Sequence, residues 1–152
     1  MQAHIRFDDE GLHLLDQRIV PAEVAWLTLT SAQDTADAIR DMVVRGAPAI
    51  GITAAYGLVL AARNASGRPL EAVRSAREAL AGTRPTAVNL FWALDRMTRL
   101  ADTLPDAGPE ALAKVLEAEA IAIHHEDYAM CRQMGDHGAA LRDVQLVEAA
   151  DP

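Results

Sequence analysis

Residues 45–63 read RGAPAIGITAAYGLVLAAR. Between the two arginines the stretch is apolar on almost every side. It lacks the two-residue alternation of a half-buried strand, and it carries Pro48 where a helix tolerates proline, in the first turn. A helix that is hydrophobic all round has to be buried, so the chain reads as a helical bundle assembled around this segment. Arg45 is then a question, because it puts a cation at the start of that helix.

Working outward toward the N-terminus, Ser31 and Asp34 resemble a capping box with Asp in place of Glu. Thr35, Ala38, Ile39, Met42 and Val43 follow on one helical face, which predicts a first helix that Gly46 stops. Ahead of it, HIRFDDEGLHLLD (residues 4–16) alternates around an Asp-Asp-Glu-Gly turn and predicts a β-hairpin. After Pro21, EVAWLTLT (residues 23–30) predicts a third strand.

In the other direction NASGRP (residues 64–69) is a turn by its residue types. Helices are predicted over Leu70–Leu80, from Pro85 through Trp92 to Leu100, and, after PDAGP, from Glu110 to Met134. The fold class is α+β and mostly α: a small N-terminal antiparallel sheet followed by a five-helix bundle. Residues 1–30 form the hairpin and strand that pack on the bundle, 31–140 the helical domain, and 141–152 a divergent or truncated tail.

The bulk composition agrees. The chain has 152 residues, 51% of them hydrophobic and only 4% aromatic, which suits close-packed helices better than a β-sandwich. A chain of this length hides about 68–70% of its unfolded surface on folding, enough for a real core. A net charge of −8 argues against a nucleic-acid partner, whose phosphates demand the opposite sign. The single cysteine, Cys131, excludes an internal disulfide and a thiolate metal cage. With no signal peptide at the start and no apolar run near the roughly 20 residues that span a bilayer, the expected location is cytoplasmic, away from membranes.

Arg45 has a counterpart. In TRPTAVNL (residues 83–90) Arg84 stands next to Pro85, read as the start of another helix. Unpaired N–H groups and the aligned peptide dipoles make such an end favour an anion and disfavour a cation, by on the order of 0.3–1 kcal/mol. A bound phosphate, held by open N–H groups and guanidinium forks, reverses the sign of both placements. Gly46 lets a ligand approach the backbone. The plainer reading is an ordinary helix connection whose arginines pair with acidic side chains of the same chain. Thr86 and Asn89 are further residues of the mouth, Thr86 also fitting a helix cap.

Other candidates are weaker. His124, His125, Glu126 and Asp127 are consecutive, about 100° apart on a helix, and read as a solvated or partly buried face and not as a metal site. His137 between Gly135 and Gly138 reads as a helix end, and Cys131 among Met130 and Met134 as packing.

Four segments in order, LDQRIVPAEVAWL, AIRDMVVRGAPAIGITAAYGLVLAA, TRPTAVNLFWAL and MGDHGAAL, closely resemble the N-terminal part of the methylthioribose-1-phosphate isomerase family, over residues 14 to about 141. The same superfamily includes ribose-1,5-bisphosphate isomerases and regulatory subunits of the translation-initiation guanine-nucleotide exchange factor. The resemblance implies aldose–ketose isomerisation of 5-methylthioribose-1-phosphate to 5-methylthioribulose-1-phosphate in methionine salvage, an amino-acid biosynthesis route, with no metal and no cofactor. It implies Arg45, Gly46, Ala47 and Arg84 as substrate-binding residues, and a homodimer for the full-length family.

The resemblance also implies what to look for further on: a Thr-His-Cys-Asn type motif with the catalytic cysteine, and a later catalytic aspartate, in a Rossmann-like C-terminal domain that forms the other wall of the site. ALRDVQLVEAADP ends the chain without them, and Cys131 lies upstream of that position, so no residue here is assigned a catalytic role. The expectation is a fragment, through truncation, frameshift or deliberate isolation of the domain, that holds substrate without turning it over. The alternative is a non-catalytic sugar-phosphate or nucleotide-phosphate sensing module, like the superfamily's regulatory subunits.

Overall fold

The structure is a computed structural model that describes residues 4–150. Three strands, β1 (Ile5–Phe7), β2 (Leu12–Leu15) and β3 (Trp26–Leu29), precede five helices, α1 (Ala32–Arg40), α2 (Ala47–Arg63), α3 (Pro69–Ala81), α4 (Val88–Asp102) and α5 (Pro109–Ala150). This is the mostly helical α+β architecture that the periodicities predict.

The strands form an antiparallel sheet in the order β1-β2-β3. Ile5 pairs with Leu14 and Leu14 with Leu27, while Phe7 pairs with Leu12 and Leu12 with Leu29. Side chains alternate along a strand, so this register collects the apolar residues on one face. Ile5, Leu12, Leu14 and Leu29 are buried there. The opposite face carries polar pairs, with His13 between Thr28 at 3.0 Å and Asp8 at 2.9 Å. Gly11 closes the hairpin at φ +140°, and a Cβ on it would stand 2.4 Å from the Leu29 carbonyl oxygen, so only glycine fits this turn. The third strand is shorter than predicted: Val24 is exposed and pairing begins at Trp26.

The helix over residues 47–63 occupies the middle of the bundle. Every residue from Ala49 to Leu60 is buried, and α2 packs against α1, α3, α4 and α5 as well as β1 and β2. Glycine permits two of these contacts: Gly57 sits against Thr35 and Leu80, and Gly51 against α4.

Ser31 and Asp34 form the capping box of α1, each side chain bonding the other's backbone N–H. The helix ends earlier than its apolar pattern predicts. Asp41 caps it and Met42 adopts φ 62°, with Val43 N–H donating to the Ala38 carbonyl at 2.9 Å and Met42 N–H to that of Ile39 at 3.3 Å. This is a Schellman ending with methionine in the place glycine usually takes. Turning the chain there buries Val43 and Val44, both at most 2% exposed.

Two further boundaries differ. Pro85 does not begin a helix: Ala87 N–H donates to the Arg84 carbonyl at 3.0 Å, closing a turn with proline second, and α4 starts at Val88. Helix α5 does not end near Met134 but passes through Gly135 and Gly138 to Ala150, so His137 is an exposed mid-helix residue. Of the tail expected over 141–152, residues 151 and 152 lie outside the described part; the rest continues α5. Cys131, expected to pack, is exposed, as are Met130 and Met134.

Candidate functional site

The first turns of α2 and α4 meet. A Cβ on Gly51 would lie 2.7 Å from the Asn89 carbonyl oxygen and 3.4 Å from the Ala93 Cβ, so these helices approach backbone to backbone near their N-termini. The loops carrying Arg45 and Arg84 lead directly into those turns.

The two helix starts differ electrostatically from the other three. Helices α1, α3 and α5 have Asp34, Glu71 and Glu110 in their first turns, the placement the helix dipole favours. Helices α2 and α4 have no acidic residue there, and neither N-cap, Gly46 or Ala87, supplies a side-chain hydrogen bond. Thr86, expected as a possible cap, is exposed and does not serve α4. Gly46 takes φ +96°, a left-handed backbone that excludes most side chains, while the space around it is open.

Seven of the arginines hold carboxylates in ion pairs, while Arg6 lies over the Trp26 ring and Arg99 donates to the Asp95 carbonyl. Among the described residues Arg45, which is exposed, and Arg84, which is half-buried, have neither a salt bridge nor a side-chain hydrogen bond. Pairing with an acidic side chain, the plainer reading of the sequence, is therefore not what these guanidiniums do in this structure.

A residue that motif reading missed steadies the first loop. The Gln17 N–H donates to the Val43 carbonyl at 2.9 Å, and its side-chain oxygen accepts from the Arg45 N–H at 3.2 Å. The neighbouring Asp16 receives the Arg18 fork at 2.9 and 2.7 Å, which holds its carboxyl below the usual range. The signal was available only as part of the longer LDQRIVPAEVAWL segment, since one glutamine after a strand announces nothing by itself.

Helix α5 closes a third side and creates a cleft of about 350 Å³. Pro48, Gly51 and Ile52 line it from α2, Val88, Asn89 and Trp92 from α4, and Ile123, Glu126, Asp127 and Met130 from α5. Arg96 braces this wall: its fork donates to both Glu126 oxygens at 2.6 and 2.8 Å, and its guanidinium lies 5.4 Å from the Trp92 ring. The hydrogen bonds from Arg96 lower the Glu126 carboxyl below its ordinary pKa.

The His124–Asp127 run does not converge on a metal. His124 is half-buried with Nδ1 3.3 Å from the Tyr56 hydroxyl, and burial, then the nearby His125 and His4, push its pKa down. His125 is exposed and Glu126 is engaged by Arg96. Among the described residues no group of three or more His, Cys, Asp or Glu side chains could hold a metal ion.

The chain is similar to known proteins. The chain is 59% identical over 136 residues to the methylthioribose-1-phosphate isomerase of Alkalilimnicola ehrlichii, covering 87% of this chain and 38% of that one. It is 51% identical over 140 residues to the enzyme of that name from Alcanivorax borkumensis, covering 91% and 40%. Among solved structures, 5-methylthioribose 1-phosphate isomerase from Pyrococcus horikoshii OT3 superposes with a TM-score of 0.77 at 33% identity, over 83% of this chain and 36% of that one. Translation initiation factor eIF-2B, subunit delta, from A. fulgidus superposes with a TM-score of 0.84 at 36% identity, over 93% and 42%. The chain thus spans about two-fifths of the length of these relatives. A match over residues 43–145 takes in the Arg45 loop, both bare helix starts and the α5 wall, and by it the chain belongs to the Initiation factor 2 subunit family.

Proposed function

We propose that this chain supplies the phosphate-holding side of the site of a methylthioribose-1-phosphate isomerase, with Arg45, Gly46, Ala47 and Arg84 as the residues that receive the substrate phosphate. The observation that carries the reading is the coincidence of two bare helix N-termini with two arginines that have no internal carboxylate. A phosphate there accepts from open backbone N–H groups and from two guanidiniums, at roughly 1.5–3 kcal/mol per charged hydrogen bond. The names of the relatives, at up to 59% identity, supply the sugar.

Holding the phosphate fixes the sugar but moves no hydrogen. The isomerisation carries hydrogen from C2 to C1 and needs an acid and a base at those carbons. Cys131 is exposed on α5 and is not one of the residues lining the cleft. The 152-residue chain accordingly binds and does not turn over, the remaining groups coming from a second domain and a homodimeric assembly of the whole enzyme.

Calorimetric titration tests this. Inorganic phosphate and methylthioribose-1-phosphate should bind the wild-type chain, and Arg45→Ala or Arg84→Ala should weaken both by tenfold or more. Equal affinities in wild type and variants overturn the assignment, and turnover by the isolated chain overturns its inactivity.

A second reading has one observation behind it. The eIF-2B subunit superposes with the higher TM-score and over more of this chain, which fits a non-catalytic module that senses a sugar phosphate or a nucleotide phosphate. Sequence favours the isomerase, at 59% against 36% identity. A nucleoside monophosphate that binds more tightly than the sugar phosphate would reverse that preference.

A further inference from the structure

Helix α5 changes character at one turn. Leu112, Leu116, Ala120 and Ile123 are buried, at most 3% exposed, whereas every residue from Tyr128 to Ala139 is exposed. His124 stands in the last turn that docks. It is half-buried, with Nδ1 3.3 Å from the Tyr56 hydroxyl and the two rings meeting edge to face at 6.1 Å. Tyr56 is a well-fixed partner, buried in the central helix and stacked on Phe7 at 4.6 Å.

This contact depends on the charge of the imidazole. The neutral ring can accept the phenol hydrogen at Nδ1, whereas the imidazolium carries hydrogen on both nitrogens, so the phenol must turn and accept instead. The new charge is also half-buried, and it meets others of its own sign, His125 on α5 and His4 from the segment before β1. Asp127, on the next turn, is the one opposing charge that acts on it among the described residues. Glu117, which acts on Tyr56 from α5, is already held by Arg63 of α2 at 2.8 Å. Burial first, and the two histidines second, outweigh Asp127 and keep the His124 pKa below the ordinary 6.5.

The other side of the same turn does not respond in this range. Arg96 of α4 grips both Glu126 oxygens at 2.6 and 2.8 Å and holds that carboxyl below its ordinary pKa, so it stays ionised while a histidine titrates. Ile123, Glu126 and Asp127, which line the cleft, belong to this turn.

We propose that the His124–Tyr56 contact is a pH-sensitive latch: protonation of His124 releases the last docked turn of α5 from α2, while Arg96 keeps its hold on the α4 side, and the α5 wall of the cleft loosens.

Hydrogen exchange read by mass spectrometry on the 152-residue chain tests the latch, with rates corrected for the intrinsic pH dependence of amide exchange. The protection of Ala120–Asp127 relative to Ala49–Leu60 should fall severalfold between pH 7.5 and 5.5, up to the limit of about tenfold that one proton sets over this interval. His124→Gln, which cannot titrate, should abolish the fall, and His125→Gln should leave it in place. No fall in the wild type, the same fall in His124→Gln, or a fall that disappears in His125→Gln alone overturns the latch. A nuclear magnetic resonance titration of the His124 ring needs no variant and should give a midpoint below 6.5. A midpoint at or above that value also overturns it.

Discussion

Gly51 and Asn89 hold the two helix starts together: a Cβ on the first would sit 2.7 Å from the carbonyl oxygen of the second. The obstacle is backbone, which cannot swing aside as a side chain can. Gly51→Ala should force α2 and α4 apart, at a cost of about 1–3 kcal/mol by analogy with overpacked cores. Urea unfolding measures the loss, and the same variant should bind inorganic phosphate more weakly, because separating the helices separates Arg45 from Arg84.

Ala47 is the first residue of α2 and is exposed. Ala47→Asp places a carboxylate where the dipole favours one, which should stabilise the fold by about 0.3–1 kcal/mol at low ionic strength. It also puts a competing anion in the proposed phosphate mouth. The expected outcome is a rise in melting temperature that fades with added salt, together with a severalfold loss of phosphate affinity. A gain in both properties would separate the helix start from the binding site.

Met42 carries a left-handed backbone that glycine adopts without strain. The conformation costs an L-residue about 1–2 kcal/mol, and glycine's own loss of freedom offsets part of the relief. Met42→Gly should therefore raise the urea midpoint by the equivalent of somewhat under 1 kcal/mol, with unchanged helix content in the far-ultraviolet spectrum.

The Tyr56 phenol stacks on Phe7 at 4.6 Å and is held by burial, and secondarily by Glu117, at a pKa of about 12, up from 10.0. The unfolded chain loses this proton near 10 while the folded chain keeps it. Stability is therefore full below pH 10 and falls as pH rises toward 12, because the unfolded state binds fewer protons over that window. Tyr56→Phe should flatten this alkaline limb in urea titrations at pH 9 to 12.

Much of the fold was legible in local chemistry. The Ser31–Asp34 box, the hairpin around Asp8–Gly11 and the apolar run of α2 each depend on neighbours within a few residues. The ends were less readable, for physical reasons. Pro85 suits a helix start and the second place of a turn equally well. Met42 turns the chain left-handed because burying Val43 and Val44 outweighs the strain, a decision made by tertiary packing. The glycines at 135 and 138 look like a stop, yet they are tolerated inside α5 at about 1 kcal/mol each.

The candidate site divides in the same way. Helix-start electrostatics singled out both arginine loops, though for Arg84 it set the helix start at Pro85, three residues before Val88. The third wall could not, because Ile123, Glu126, Asp127 and Met130 look in sequence like any half-solvated helix face. Only the packing of α5 across α2 and α4 turns them into the side of a cleft.

From Tyr128 to Ala139 every residue of α5 is exposed. Apart from Met130 at the cleft, these three turns of helix, two glycines among them, have no buried residue to secure them. Their amide hydrogens should exchange with solvent by local opening, decades faster than those of Ala49–Leu60, whose exchange must wait for the whole bundle to come apart. A protease would find this stretch first, and the bundle that remained would still contain both arginine loops.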